Sequence, residues 1–145
     1  EEAIEQKIIK EIKNYSEYQR EVKFGLHSRF DFQLKNKTKK AFLEVKNVTL
    51  SRQSRIAEFP DAVTSRGLKH LEELEKAIKK GYESFLIYLV QREDCNEFRI
   101  AKDIDPKYYE GFLKAKKNGV KFIGYSCKVN EKEIYVNKPI KIVFK

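Results

Sequence analysis

With 145 residues, 41% of them hydrophobic and 37% charged, the chain is long enough to bury a core and too apolar for wholesale disorder. No apolar run reaches the length of a helical membrane span and no signal-peptide pattern opens the chain, which argues against a membrane partner and points to the cytoplasm. The formal charge of +9 has two readings, cations for nucleic-acid phosphates or the lysine-rich surface of a biased or heat-adapted genome.

Ile4, Ile8, Ile9 and Ile12 recur at helical spacing and predict an amphipathic helix over 1–13. Strands follow at 18–25, 28–35 and 40–50. The last two are joined through a hairpin turn at Asn36, in a solvated run of Lys35, Lys37, Lys39 and Lys40. Leu68, Leu71, Leu74 and Ile78 mark one face of a helix over 64–80, capped by Thr64 or Ser65 and stopped at Gly81. The nearly unbroken apolar run 84–91 predicts a central strand covered on both faces. Asp105 and Pro106 open a third helix, Asn118 and Gly119 close it, and strands near 120–129 and 133–144 finish the chain. The order α-β-β-β-α-β-α-β-β implies an α/β fold, a mixed sheet flanked by helices, in one domain over 1–145. The chain has no methionine, so it reads either as the remainder of a longer protein or as one lacking only its initiator. Cys95 and Cys127 have no zinc-like spacing and read as inert thiols, and Tyr108, Tyr109 and Phe112 as helix packing.

The chemistry falls where strand alternation breaks. Phe30, Phe32 and Leu34 are expected on one face of their strand, and Arg29, Asp31 and Gln33 on the other. In the next strand Glu44 and Lys46 share a face with Phe42, Val48 and Leu50, where a charge is costly unless paired. Hairpin neighbours would bring Asp31 and Glu44 together. Two adjoining carboxylates suit a divalent cation, Mg²⁺ or Mn²⁺, held by Asp31, Glu44 and the Val45 carbonyl, with Lys46 placed to orient a water. An Asp31–Lys46 or Glu44–Lys46 ion pair explains the same residues, and spacing leaves both open.

The segment 59–70 gathers Asp61, Thr64, Arg66, Lys69 and His70 at a helix start, which suits either a phosphate or simple capping. Arg29 and, at the end of the central strand, Gln91 are further candidates for phosphate contact, with His27 a weaker one. Glu2 and Glu21 are possible additional acids.

Helix, three strands with Asp31 in the second and Glu44-Val45-Lys46 in the third, then helix and strand, resembles the PD-(D/E)xK nuclease-like superfamily with its restriction-endonuclease-like fold. The literal Pro60-Asp61 follows the Glu-x-Lys and is a decoy. More specifically, SRFDF (28–32), EVKNVTL (44–50), FPDAVTSRGLKHLEEL (59–74), VQRED (90–94), DP (105–106) and GV (119–120) are similar, in order, to the sugar fermentation stimulation protein A (SfsA) family. Ser65 and Ile100 depart from it, where Glu and Pro are common. The resemblance implies a DNA-binding protein with a regulatory role in sugar metabolism. It also implies that an N-terminal OB-fold-like domain usual in the family is missing here. Asp31, Glu44 and Lys46 take the catalytic positions in that resemblance. An active metal-dependent nuclease on DNA or RNA, and a non-catalytic domain with a buried ion network, are the alternatives; a homodimer is left open.

Overall fold

The computed structural model describes residues 1–144. In chain order the elements are α1 (Glu2–Glu5), a 3₁₀ turn (Lys10–Ile12), β1 (Glu17–Phe24), β2 (Ser28–Lys35), β3 (Lys40–Val48), β4 (Leu50–Gln53) and β5 (Ile56–Phe59). Then come α2 (Ser65–Lys79), β6 (Glu83–Val90), β7 (Glu97–Ile100), α3 (Pro106–Lys117), β8 (Lys121–Val129), β9 (Ile134–Pro139) and β10 (Lys141–Val143). The apolar run forms β6, inside a six-stranded sheet of order β1-β2-β3-β6-β8-β9. β6 lies parallel to both β3 and β8, while the flanking pairs are antiparallel. A second, four-stranded mixed sheet has the order β10-β7-β5-β4.

Alternation along the central strands divides the core in two. Phe42, Val48, Leu86, Tyr88 and Val90 pack with Leu71 and Leu74 of α2, Phe112 of α3 and Phe98 of the second sheet. Leu43, Phe85, Ile87 and Ile123 point the other way, onto Ala3, Ile9 and Ile12. The two long helices cross closely at Gly111, where a β-carbon would collide with Leu68. Thr64 and Asp105 cap them, and Asp105 serves both ends: its Oδ1 accepts from Tyr108 N–H at 3.0 Å and its Oδ2 from Thr64 N–H at 2.9 Å.

Three expectations change. The helix expected over 1–13 is one α-helical turn and one 3₁₀ turn, broken at Lys7 (φ 56°). Ile9 and Ile12 are nevertheless buried, so the stripe reported burial rather than continuous helix. Strands β4, β5 and β7 were not expected: each has four residues, too few for a period, and they carry Arg52, Glu58 and Arg99. The final strand is two, since the chain turns at Ile140 and passes from one sheet into the other.

A further departure shapes the site. In β1 and β2 the face exposed to each core layer switches at Glu21 and Asp31, which lie opposite one another between the pairs Arg20–Phe32 and Val22–Phe30. Tyr18, Phe32 and Leu34 join the Leu43 layer, whereas Val22, Phe24 and Phe30 join the Phe42 layer. Phe30 and Phe32 therefore do not share a face, contrary to simple alternation. Glu21 has a φ of 51°, which supplies the roll in the strand.

Candidate metal centre and basic groove

The β2–β3 ladder runs from Lys35–Lys40 to Phe32–Leu43, and Asp31 lies just beyond it. There the Asp31 side chain replaces the backbone partner: its Oδ2 accepts from Val45 N–H at 2.8 Å. Glu44 projects from β3 into the Phe42 layer and is 3% exposed. Its Oε2 is fully buried and has no hydrogen-bond partner. Burial, reinforced by the adjoining Asp31 carboxylate, pushes the Glu44 pKa up to about 9.

Lys46 does not neutralise this pair by contact. Among the described residues it has no carboxylate within 4.0 Å of its ammonium, and its Nζ lies 2.7 Å from His70 Nδ1. Burial lowers the Lys46 pKa against the pull of Glu44 and Asp31. Burial, with Lys46 and Arg66 nearby, pushes His70 down to about 4, so the ring is neutral at neutral pH, and with Lys46 donating Nδ1 is its accepting nitrogen. The 3.6 Å approach of His70 Nδ1 to Glu44 Oε2 is accordingly a contact of two neutral groups and no ion pair. No group of three His, Cys, Asp or Glu side chains converges as a metal cage among the described residues. Two carboxylates and a main-chain carbonyl are what the protein can offer there, a donor set that suits a hard cation retaining waters.

Beside this cluster a groove of about 570 Å³ opens between the tip of the β1–β2 hairpin and the start of α2. Arg29, Arg66, Lys69 and His70 line it, as the sequence suggested for phosphate contact, together with Lys23 and His27. Lys23 was missed. It pairs across the hairpin with Arg29, a register that a chain-order reading of separate strands does not supply. Gln91 stands elsewhere: its N–H donates to Val48 O at 2.8 Å at the strand end, and it does not line the groove. Thr64 caps α2, its Oγ1 accepting from Gly67 N–H at 2.9 Å, while Asp61 is exposed in the preceding loop. Glu2 lies on the surface of α1, bonded to Gln6, and the acid that shares a cavity with Asp31 is instead Glu1. Cys95 and Cys127 are buried free thiols, and burial raises both pKa values. Tyr108 is fully buried with its hydroxyl 2.6 Å from that of Tyr88, in keeping with a packing role.

Two mixed sheets, two long helices and a buried Glu44 beside a half-buried Asp31 define a mixed α/β protein with a polar cluster next to a basic groove. The family model described as the sugar fermentation stimulation protein RE domain matches residues 1–133, and the chain belongs to that family. A sugar fermentation stimulation protein homolog from Pelagibacter ubique is 54% identical over 136 residues, 94% of this chain and 59% of that protein. The homolog from Rhodospirillum centenum is 44% identical over 142 residues, 97% of this chain and 61% of that one. The solved structure of Pyrococcus furiosus SfsA in complex with Ca²⁺ superposes with a TM-score of 0.89 at 25% identity, covering 99% of this chain and 62% of that one. The chain thus spans about three fifths of the length of these relatives. No helix is long and apolar enough to cross a membrane among the described residues.

Proposed function

We propose that this chain is a nucleic-acid-binding protein, with DNA as its partner, carrying a nuclease-like divalent-metal site on a restriction-endonuclease-like fold. The observation that carries the reading is Glu44 Oε2, fully buried and unpartnered while the nearest lysine bonds to His70 instead. A closed ion network would leave no such oxygen, because an orphaned buried acceptor is costly. Asp31, Glu44 and the Val45 carbonyl would hold Mg²⁺ or Mn²⁺, which supplies Lewis acidity toward a phosphodiester oxygen. The calcium ion named with the Pyrococcus relative supports a hard-cation site in this family. The chain's own residues divide the remaining work: Lys46, held by His70, is positioned beside the carboxylates to orient a water. Lys23, Arg29, Arg66 and Lys69 in the groove hold phosphates.

Metal titration calorimetry tests the site directly. Mn²⁺ is expected to bind the wild type and release a proton near neutral pH, because Glu44 must ionise. Asp31→Asn should lose the heat signal with its melting temperature largely kept. Wild-type protein that binds neither Mn²⁺ nor Ca²⁺ at millimolar concentration would return the cluster to a purely structural role. Nuclease turnover is a separate readout: Mn²⁺-dependent cleavage should disappear in Lys46→Ala while DNA binding persists.

A further inference from the structure

The roll of the first hairpin folds its end onto the Phe42 layer of the core. β2 is paired to β3 only as far as Phe32–Leu43, yet it stays paired to β1 through Val22–Phe30, Lys23–Arg29 and Phe24–Ser28. The last three pairs are held on the core through Val22, Phe24 and Phe30, the rings of Phe24 and Phe30 packing 5.2 Å apart and against Phe42, so that only the turn 25–27 projects beyond them. Gly25, at a φ of 66°, turns the chain at the tip and lifts Leu26 to 93% exposure, the highest among the large hydrophobic residues. Lone exposed leucines are common and need no function. This one stands in a setting that supplies one: it lines the basic groove, with Lys23 and Arg29 behind it in register and Arg66 and Lys69 across from it.

An apolar side chain at an exposed hairpin tip, flanked by Lys23, Arg29, Arg66 and Lys69, has the chemistry to enter a base stack while those cations meet the neighbouring phosphates. We propose that Leu26 is a wedge that enters between stacked base pairs of a DNA duplex whose phosphates lie along the groove, opening one step. The inference rests on the reading of the groove as a nucleic-acid interface. Cations flanking the wedge secure phosphates on both sides of the opened step, which keeps the unstacked geometry in place.

The test uses short duplexes carrying a single 2-aminopurine at successive positions, with the protein in chelator so that no cleavage intervenes. Binding is read by anisotropy and unstacking by 2-aminopurine fluorescence. Wild type is expected to raise the fluorescence several-fold at one step. Leu26→Ser should abolish that rise and weaken binding by no more than about tenfold, since restored base stacking offsets the missing apolar insertion. Leu26→Met should retain the rise. A rise that survives Leu26→Ser overturns the wedge. So does salt-dependent binding by wild type with no responsive position, an outcome that leaves the nucleic-acid reading standing. Absence of duplex binding by wild type at low salt removes both readings. A marked drop in melting temperature in Leu26→Ser, with 2-aminopurine unmoved, would mean that protein covers this residue and also overturns the wedge.

Discussion

At a pH where an exposed glutamate has long lost its proton, Glu44 keeps one, because burial beside Asp31 penalises a second charge there. Between its ordinary value of 4.5 and about 9, the folded chain holds a proton that the unfolded chain has released, so Glu44 makes stability fall as pH rises through that window. His70 acts in the opposite sense lower down. Its folded pKa of about 4 lies below its ordinary 6.5, so stability from this group rises across that interval. From about 6.5 to 9 His70 no longer contributes, and Lys46, its pKa lowered by burial, acts against Glu44. Denaturant titrations of the metal-free protein over that range should show stability falling more, or rising less, with pH in the wild type than in Glu44→Gln. Superimposable profiles would mean that Glu44 is ionised and paired in solution. The spacing of Asp31, Glu44 and Lys46 was legible in the sequence, but the partner of Lys46 was not. His70 comes from a helix that only the crossover after β3 brings alongside, so no local pattern connects the two residues.

Among the elements, α2 and α3 were readable because their apolar stripes and caps are local signals, and Thr64 and Asp105 cap them as expected. The link between the caps was hidden. Asp105 is 3% exposed and accepts from the first turn of its own helix and from Thr64 N–H. Asp105→Ala strands the half-buried Thr64 N–H in addition to losing a cap, and should cost about 2–3 kcal/mol, against about 1 kcal/mol for Thr64→Ala. Urea denaturation followed by circular dichroism distinguishes the two, and equal costs would show that the bond to Thr64 contributes little. The second sheet was illegible for a related reason. β4 and β5 hold together through Arg52, whose guanidinium grips the Glu58 carboxylate at 2.9 and 2.8 Å and also reaches Asp103. The reach to Asp103 depends on a loop distant in sequence, and a four-residue segment has no periodicity from which to foresee its pairing.

On the scale of the whole molecule, the +9 charge gains meaning from where the cations sit. Lys23, Arg29, Arg66 and Lys69 converge on one groove beside Glu44 and Asp31, while the run at Lys35–Lys40 lies around another cavity with Gly81 and Glu83. If the groove is the DNA surface, removing Arg29 and Lys69 together should reduce the slope of log affinity against log salt by about 2, at roughly 0.9 for each phosphate no longer neutralised. Removing Lys37 and Lys40 should leave that slope unchanged. Anisotropy titrations over a salt series check both, and equal effects from the two pairs would mean that diffuse charge, not the groove, carries binding.

Asp31, Glu44 and Lys46 keep the strand positions that their spacing implies, and the family follows from motifs spread along the whole chain. By itself the sequence determined the long helices and their caps, the central strand and the acid-x-lysine placement, because each is written in neighbouring residues. Only the tertiary structure decided that the first hairpin rolls at Glu21 and Asp31, that Lys46 bonds to His70, and that Glu44 Oε2 is left without a partner. Those outcomes depend on which distant surfaces meet, and burial, pKa shifts and unsatisfied oxygens are properties of such meetings, not of a residue and its neighbours in the chain.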